Sequence, residues 1–338
     1  MEMLKNELTG TLLSIVTPMH NSFDMMKKNL EILESDDLNE FVELVIIDDC
    51  STDCSYGKLE DYIKTSTLNI KIRRNDSNFG PGTTRNNGIM LATGKYLTFV
   101  DSDDYVSRDF LKEIFGIIER EKVDCIIFDY MLVDEKGNRL SGGKSIGNVK
   151  SERGLIDNKE ALVYTYGSTC GKVYRKAIID KYNIKFGDFW RNEDMPFTKY
   201  AIAMCETIYY LPSEIYNYVQ IGNSLMHDKK LSNEKNCQKA FGMLQGNIKK
   251  YGFEEELFSI ELREVLNNSV LIKINRGDPL KTVREYIKIY YRKEHLKNKY
   301  FKDYPVHVKI ISYLAYYKQL TLLKMIGMYM RWRKRKNT

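Results

Sequence analysis

The stretch YLTFVDSDDY, Tyr96 to Tyr105, runs five mostly apolar residues into three carboxylates, Asp101, Asp103 and Asp104, within four positions. Two unit charges about 4 Å apart repel by roughly 1 kcal/mol in water and about 4 kcal/mol at the effective dielectric near a protein surface. A fold keeps such a cluster if the carboxylates are well solvated, if they cap a helix, or if a cation belongs among them. Aspartates on either side of a small residue at a strand end can hold Mn2+ or Mg2+, hard ions that prefer oxygen and bridge to substrate phosphates. A solvated turn capping a helix that begins near Ser107 to Asp109 explains the same residues. A calcium loop starting at Asp101 needs Gly in sixth place and Glu in twelfth; this chain has Val106 and Lys112. A phosphatase site of the DxDx(T/V) type is weakened by Tyr105 in its fifth place.

Further groups have comparable chemistry. VIIDDCSTD (45–53) ends a second apolar run with Asp48 and Asp49, and Asp53 or Ser55 there can also cap a helix. NFGPGTTRNNGIMLATG (78–94) begins a GxGxxG pattern at Gly80 and Gly82 but has Arg85 in third place, and no GK[ST] follows. It is neither a dinucleotide fingerprint nor a Walker loop. What remains is a tight turn into a helix whose first turn presents Arg85 to a diphosphate or a carboxylate. A salt bridge to the local aspartates is the competing reading. FWRNEDMPFTKY (189–200) sets Glu193 and Asp194 where a helix begins. Carboxylates there serve the helix dipole, or act as general base beside a reactive hydroxyl. The four histidines (20, 227, 295, 307) show no paired-ligand spacing, and His295 and His307 read as surface or core residues.

The elements that position these groups alternate. LLSIV (12–16), FVELVII (41–47), LNIKI (68–72), YLTFV (96–100) and VDCIIF (123–128) read as strands, with helical segments near 24–34, 58–65, 83–92 and 109–120. Such alternation predicts an α/β fold, a Rossmann-like mixed, mostly parallel sheet flanked by helices. Open sheets of this kind bind ligands at the carboxyl ends of their strands, where Thr17, Asp48, Asp49 and Asp101 to Asp104 all fall. EKGNRLSGGKSIGN (135–148) predicts a loop or hairpin. After about residue 228 long helical stretches follow, so we expect one domain over 10–228 and an α-helical C-terminal region over 229–338.

Six cysteines with no CxxC pair, one inside the apolar run VDCIIF, indicate buried thiols in a reducing cytosol rather than a disulfide framework or a zinc site. The polar start MEMLKNELTG is no signal peptide, and no run of 18 uncharged apolar residues exists. Cytoplasmic localisation is the expectation. Charge is uneven: residues 301–338 hold nine Lys/Arg against one acid, a net +8, leaving −2 for the rest. Because the basic residues do not extend to the sheet crevice, nucleic acid is a poor partner. The aromatic and Met-rich tail KIISYLAYYKQLTLLKMIGMYMRWRKRKNT (309–338) has scattered polar positions rather than one polar face. It reads as a core-packed helix with a solvated basic end, or as peripheral contact with the anionic inner leaflet, which is the expectation here.

In their order and spacing these segments resemble glycosyltransferase family 2, the inverting GT-A enzymes that use nucleotide-diphospho-sugars, over roughly 12–226. SIVTPMHN resembles the opening strand, VIIDDCSTD the acidic uracil-binding strand end, and GPGTTRNNGIMLATGKYLTFVDSDD the stretch into the metal-binding DxD. STCGKVYRKAII and WRNEDMPF resemble the later segment ending in the catalytic Glu-Asp, and YNYVQIGNSLMH the loop that closes on the donor. The resemblance implies that Thr17, Asp48, Asp49, Arg85, Asp101 and Ser102 contact the nucleotide. It implies that Asp103 and Asp101 hold Mn2+ or Mg2+, and that Asp194 is the base supported by Glu193. Thr84 departs from the family's usual Ala and puts no role in doubt. The implied activity is transfer of a sugar, from a UDP-sugar, to a hydroxyl of a glycan or lipid-linked acceptor in bacterial surface-polysaccharide synthesis. A transferase-like module that only binds a partner, and a DxD phosphatase, are the alternatives.

Overall fold

The computed structural model describes residues 10–147, 152–221 and 233–336. The expected boundary between 228 and 229, His227 and the second half of YNYVQIGNSLMH (222–227) lie outside the described residues. The chain divides into two compact units, Met1–Leu231 and Ser232–Thr338.

In the first unit the early apolar runs form β1 (Leu13–Met19), β2 (Val42–Asp48), β3 (Asn69–Arg74) and β4 (Tyr96–Phe99). These pair in parallel in the order β3-β2-β1-β4. β1 and β2 are covered on both faces, which is why they read as continuous apolar runs rather than alternating ones. Register places Met19 opposite Asp48 and Val16 opposite Phe99, so the three strand ends meet at one edge.

The later strands are β5 (Tyr105–Val106), β6 (Cys125–Val133), β7 (Arg139–Gly143), β8 (Gly154–Ile156), β9 (Lys172–Arg175) and β10 (Ile208–Val219). They continue the sheet as β4-β9-β6-β10-β5, with β7 on β6 and β8 on β10. β9 lies antiparallel between β4 and β6, and β6 and β10 are parallel, so the sheet is mixed and antiparallel pairing predominates in this half. β7 completes the hairpin expected over 135–148. β9 gives no sequence signal: its four residues sit between a left-handed Gly171 (φ 77°) and the helix beginning at Lys176.

Helices cover both faces. α1 (Phe23–Glu34) and α4 (Phe110–Glu121) present Met26, Leu30, Ile114 and Phe115 to Ile15, Leu44 and Ile46. α2 (Ser55–Ile63) adds Leu59 to this core. On the other side of the pleat, α3 (Pro81–Leu91) comes so close that a Cβ on Gly88 would lie 2.3 Å from Val16 Cγ1. α5 (Asn158–Tyr164), α6 (Lys176–Lys181) and α7 (Asp194–Met204) follow. Phe99 at the end of β4, Phe186 and Phe197 of α7 pack as one aromatic group, with Phe186 stacked on Phe197 at 4.0 Å and Phe99 edge-on to both at 5.0 and 5.3 Å. The segment before α7 is thereby fixed to the strand that leads into the acidic cluster.

The second unit is helical: α8 (Asn233–Ile248), α9 (Glu254–Ile260), α10 (Asn267–Arg276), α11 (Leu280–Tyr290), α12 (Lys293–Lys297), α13 (Val306–Tyr316) and α14 (Leu320–Lys336). His295 is a core residue, its Nδ1 accepting from the Arg292 N–H and its Nε2 3.0 Å from Glu261. The tail is two helices broken at a left-handed Lys318 (φ 57°), not one, so its polar residues scatter on any single wheel. Among the described residues no helix is long and apolar enough to cross a membrane.

Glu43 ties together the edge of the sheet opposite the strand ends. Fully buried, it accepts from Ser14 Oγ (2.5 Å) and Thr93 Oγ1 (2.8 Å) and pairs with Lys71 (2.6 Å). Burial opposes its charge, but these donors outweigh it and hold the carboxyl at about 2, against 4.5 for a free one. A depressed carboxyl stabilises the fold above its unfolded pKa and loses that contribution as pH falls through the folded one. Glu43→Gln is therefore expected to cost about 2–3 kcal/mol in urea unfolding at pH 7, with the deficit shrinking below pH about 4.5.

Candidate active site

The strand ends, the first turn of α3 and the start of α7 converge on Arg85. This residue is 6% exposed; its Nη2 donates to Asp101 Oδ1 at 2.7 Å and its Nη1 to Glu193 Oε1 at 2.9 Å. Burial works against this cation, yet the two carboxylates more than compensate and raise its pKa above the ordinary arginine value. Nε has no partner, so the guanidinium is spent on bridging rather than on a bidentate grip of one acid. The 187–193 segment closes over α3: a Cβ on Gly82 would lie 2.1 Å from the Gly187 carbonyl oxygen and 3.1 Å from Glu193 Cγ.

Asp104 and Asp101 are held by β10. The Tyr216 hydroxyl donates to Asp104 Oδ2 at 2.6 Å, and the Val219 N–H donates to Oδ1 at 2.8 Å. Burial, with the charges of Asp101 and Asp103, pushes Asp104 well up. The Cys170 thiol, itself raised by burial and by Asp101, points its Sγ at Asp101 Oδ2 (3.5 Å) and lies 3.2 Å from the Tyr216 hydroxyl oxygen. Asp103 is partly buried, and burial together with the Asp101 charge lifts it to about 6. Asp194, first residue of α7, is lifted to about 7 by burial, then by Glu193 and Asp101, with Arg85 opposing. A carboxyl near 7 suits a general base at neutral pH.

The residues expected around the nucleotide divide. Asp48 is fully buried, pairs with Arg74 Nε (3.1 Å) and accepts from the Ser51 N–H, and so shapes the turn after β2. Asp49 accepts from Asn75 Nδ2 (2.8 Å) and from the N–H groups of Phe79 (3.0 Å) and Gly80 (2.8 Å), organising the entry to α3. Thr84, the departure from the family pattern, is buried and donates to the Gly80 carbonyl (2.8 Å) in the same turn. Thr17 is buried in β1, and Ser102 accepts from Ser22 Oγ at 2.7 Å. Sequence reasoning passed over His20, exposed at the end of β1 with Nδ1 2.9 Å from the Asp49 carbonyl and Nε2 3.3 Å from Asn78. It also passed over Phe79 and Trp190, which are 49% and 42% exposed; Trp190 lies 3.3 Å from where a Gly80 Cβ would be. The signal was available, as large aromatics beside Gly80 and Glu193. A cavity of about 560 Å³ lined by Gly94, Lys95, Lys122, Arg175 and Lys176 opens elsewhere, and none of these residues lines it.

A divalent ion suits part of this cluster. Donor atoms of Asp101, Asp104 and Cys170 lie within 4.8 Å of one another. Both Asp104 oxygens are engaged, however, and Cys170 keeps its proton, so neither is a natural ligand for a hard ion. Asp103 remains, lifted by burial and by the Asp101 charge, and Asp101 adjoins it with its oxygens facing Arg85 and the Cys170 thiol.

With this geometry in hand, comparisons place the chain. The family model described as Glycosyl transferase family 2 matches residues 14–183. The poly(ribitol-phosphate) beta-N-acetylglucosaminyltransferase TarS of Staphylococcus aureus is 31% identical over 209 residues, 61% of this chain and 35% of that protein. The poly(ribitol-phosphate) beta-glucosyltransferase of Bacillus spizizenii is 29% identical, covering 58% of this chain and 30% of its own length. The chain thus spans about a third of these curated relatives. The crystal structure of S. aureus TarS 1–349 with UDP-GlcNAc superposes with a TM-score of 0.70 at 21% identity, covering 95% of this chain and 92% of that one. The fold is GT-A.

Arg85 generates a direct test. Arg85→Met leaves Asp101 and Glu193 without their shared cation and is expected to cost about 3–5 kcal/mol in urea unfolding. Arg85→Lys, with a point charge in place of a fork, should recover only part of that loss.

Proposed function

The chain belongs to glycosyltransferase family 2, and on that premise we propose that it moves a sugar from a UDP-sugar to a hydroxyl of a glycan or lipid-linked acceptor, with inversion, in bacterial cell-surface polysaccharide synthesis. The observation that carries this reading is Asp194. It is a partly buried carboxyl that opens α7 next to Glu193, which Arg85 ties to the acidic strand end. The UDP-GlcNAc in the TarS structure, and relatives named for transfer to poly(ribitol-phosphate), support a hexosyl or N-acetylhexosaminyl group as cargo and a polyol-phosphate or glycan as acceptor.

In the proposed step Asp194 accepts the proton of the acceptor hydroxyl as that oxygen bonds to the anomeric carbon from the face opposite the diphosphate. The bond from that carbon to the diphosphate oxygen breaks, and its electron pair leaves with UDP. Glu193, fixed by Arg85, sets the orientation of the first turn of α7 and so of Asp194. Asp101 and Ser102, just past the end of β4, and Thr17 in β1 contact the nucleotide in this reading. Asp49 acts through the Phe79–Gly80 backbone rather than by direct contact. Asp103 and Asp101 would hold Mn2+ or Mg2+, which when bound neutralises charge on the departing diphosphate. A lipid-linked acceptor puts the enzyme at the cytoplasmic leaflet, reached through residues 309–338.

Calorimetric titration of UDP with Mn2+, then with EDTA, tests the donor site. Binding should need the metal and be lost in Asp103→Ala; a chain that binds no nucleotide at all would be a module without this activity. Asp194→Asn should lower kcat about 10^2–10^4-fold while leaving the dissociation constant for UDP unchanged. Since the base must be ionised, kcat/KM should fall as pH drops through about 7, and a profile flat from pH 5 to 8 would remove Asp194 from that role.

A further inference from the structure

We infer that the solvent faces of α13 and α14 together form a lipid-surface site, occupied by an anionic bilayer. This deepens the membrane part of the function proposed above. Val306, Ile310, Tyr313 and Tyr317 recur at helical spacing of four, three and four along α13 and its last turn, and they are 45–71% exposed. The opposite side of the helix holds the buried Ile311, Ser312 and Ala315. The outward row is therefore a second apolar face and not the edge of the core.

α14 repeats the arrangement. Leu320, Leu323 and Gly327 are buried, and a Cβ on Gly327 would come within 2.8 Å of Asn275, which sets this helix directly on α10. Away from that contact Leu322, Met325, Met328 and Tyr329 are 47–61% exposed. A helix with one face in a core and the other in water ordinarily carries polar residues outward. Here each helix carries an exposed apolar row outward, and clustered exposed apolar side chains mark an interaction face.

Charge selects the occupant. Residues 301–338 carry a net +8, and Lys302, Lys318 and Lys324 are exposed among the apolar rows. A second copy of the chain would bring the same +8 against it. An anionic lipid surface offers the opposite sign together with an acyl boundary for the apolar rows. Tyr313, Tyr317 and Tyr329 suit the headgroup level, where an amphipathic ring is half wet. Lysines there extend their stems along apolar surface and keep the ammonium in water.

The test uses the full chain in vesicle flotation, comparing phosphatidylcholine with phosphatidylcholine containing phosphatidylglycerol. Binding should appear with the anionic lipid and weaken at least about tenfold in high salt. Ile310→Asp and Met325→Asp, at exposed positions, should each lower it about tenfold while melting temperature and UDP binding stay as in the parent. The milder Ile310→Ser should fall between. No flotation with either vesicle overturns the proposal, as does flotation that responds to salt but not to these substitutions. Concentration-dependent self-association abolished by the same substitutions overturns it too, and gives the face to a second copy. UDP titration of the same samples separates the two readings: loss of nucleotide binding with flotation intact counts against the transferase alone.

Discussion

A single buried guanidinium between two carboxylates is the constraint on which the crevice depends. Asp101 lies 16 residues from Arg85 in sequence and Glu193 lies 108 away, so one cation joins the strand that ends in the acidic cluster to the helix that opens with Asp194. Neither acid could be buried there alone, since an unpaired charge in that surrounding is far costlier than the bridge. Arg85 in turn is placed by α3, and α3 begins where it does because Asp49 gathers the N–H groups of Phe79 and Gly80, the latter at φ 83°. The order of dependence runs from a turn after β2, through a helix start, to the charged centre.

Beneath that charge the packing is aromatic. Phe186 lies 5.5 Å from the Arg85 guanidinium and stacks on Phe197, and Phe99 meets both edge-on. An apolar floor lowers the local dielectric and strengthens the ion pairs above it, while burial and neighbouring carboxylates lift Asp103 and Asp194. The crevice thus serves two ends, holding the bridge and keeping the Asp194 carboxyl raised above the usual carboxylate range.

Much of this was legible before any coordinates. Parallel strands covered on both faces show as apolar runs, and the charges that end them show as ends, so β1 to β4 and their convergence followed from the sequence. Arg85 lying against the local aspartates was one of two readings, and the geometry takes it further by adding Glu193. What stayed hidden was the direction in which adjacent groups act. Asp48 and Asp49 look alike in a sequence, but the positive φ of Cys50 turns the chain so that one meets Arg74 and Ser51 and the other meets the loop before α3. Tyr216, 112 positions from Asp104, carries no local mark of its role. β9 was too short to read, and the tail looked irregular because two helices were taken as one.

Phe79 and Trp190 hold a different status from the groups around them. The Phe79 N–H is claimed by Asp49, and Trp190 lies against Gly80, yet both rings remain open to solvent. Arg85, Asp49, Asp101 and Asp104 are each committed to several partners, so mutation at those positions disturbs the scaffold at once. The two rings have few such obligations. Under the function proposed above, side chains at these two positions can be exchanged, altering what the rim presents, while the backbone stays pinned. Enzymes with the same charged centre are free to diverge in what they accept.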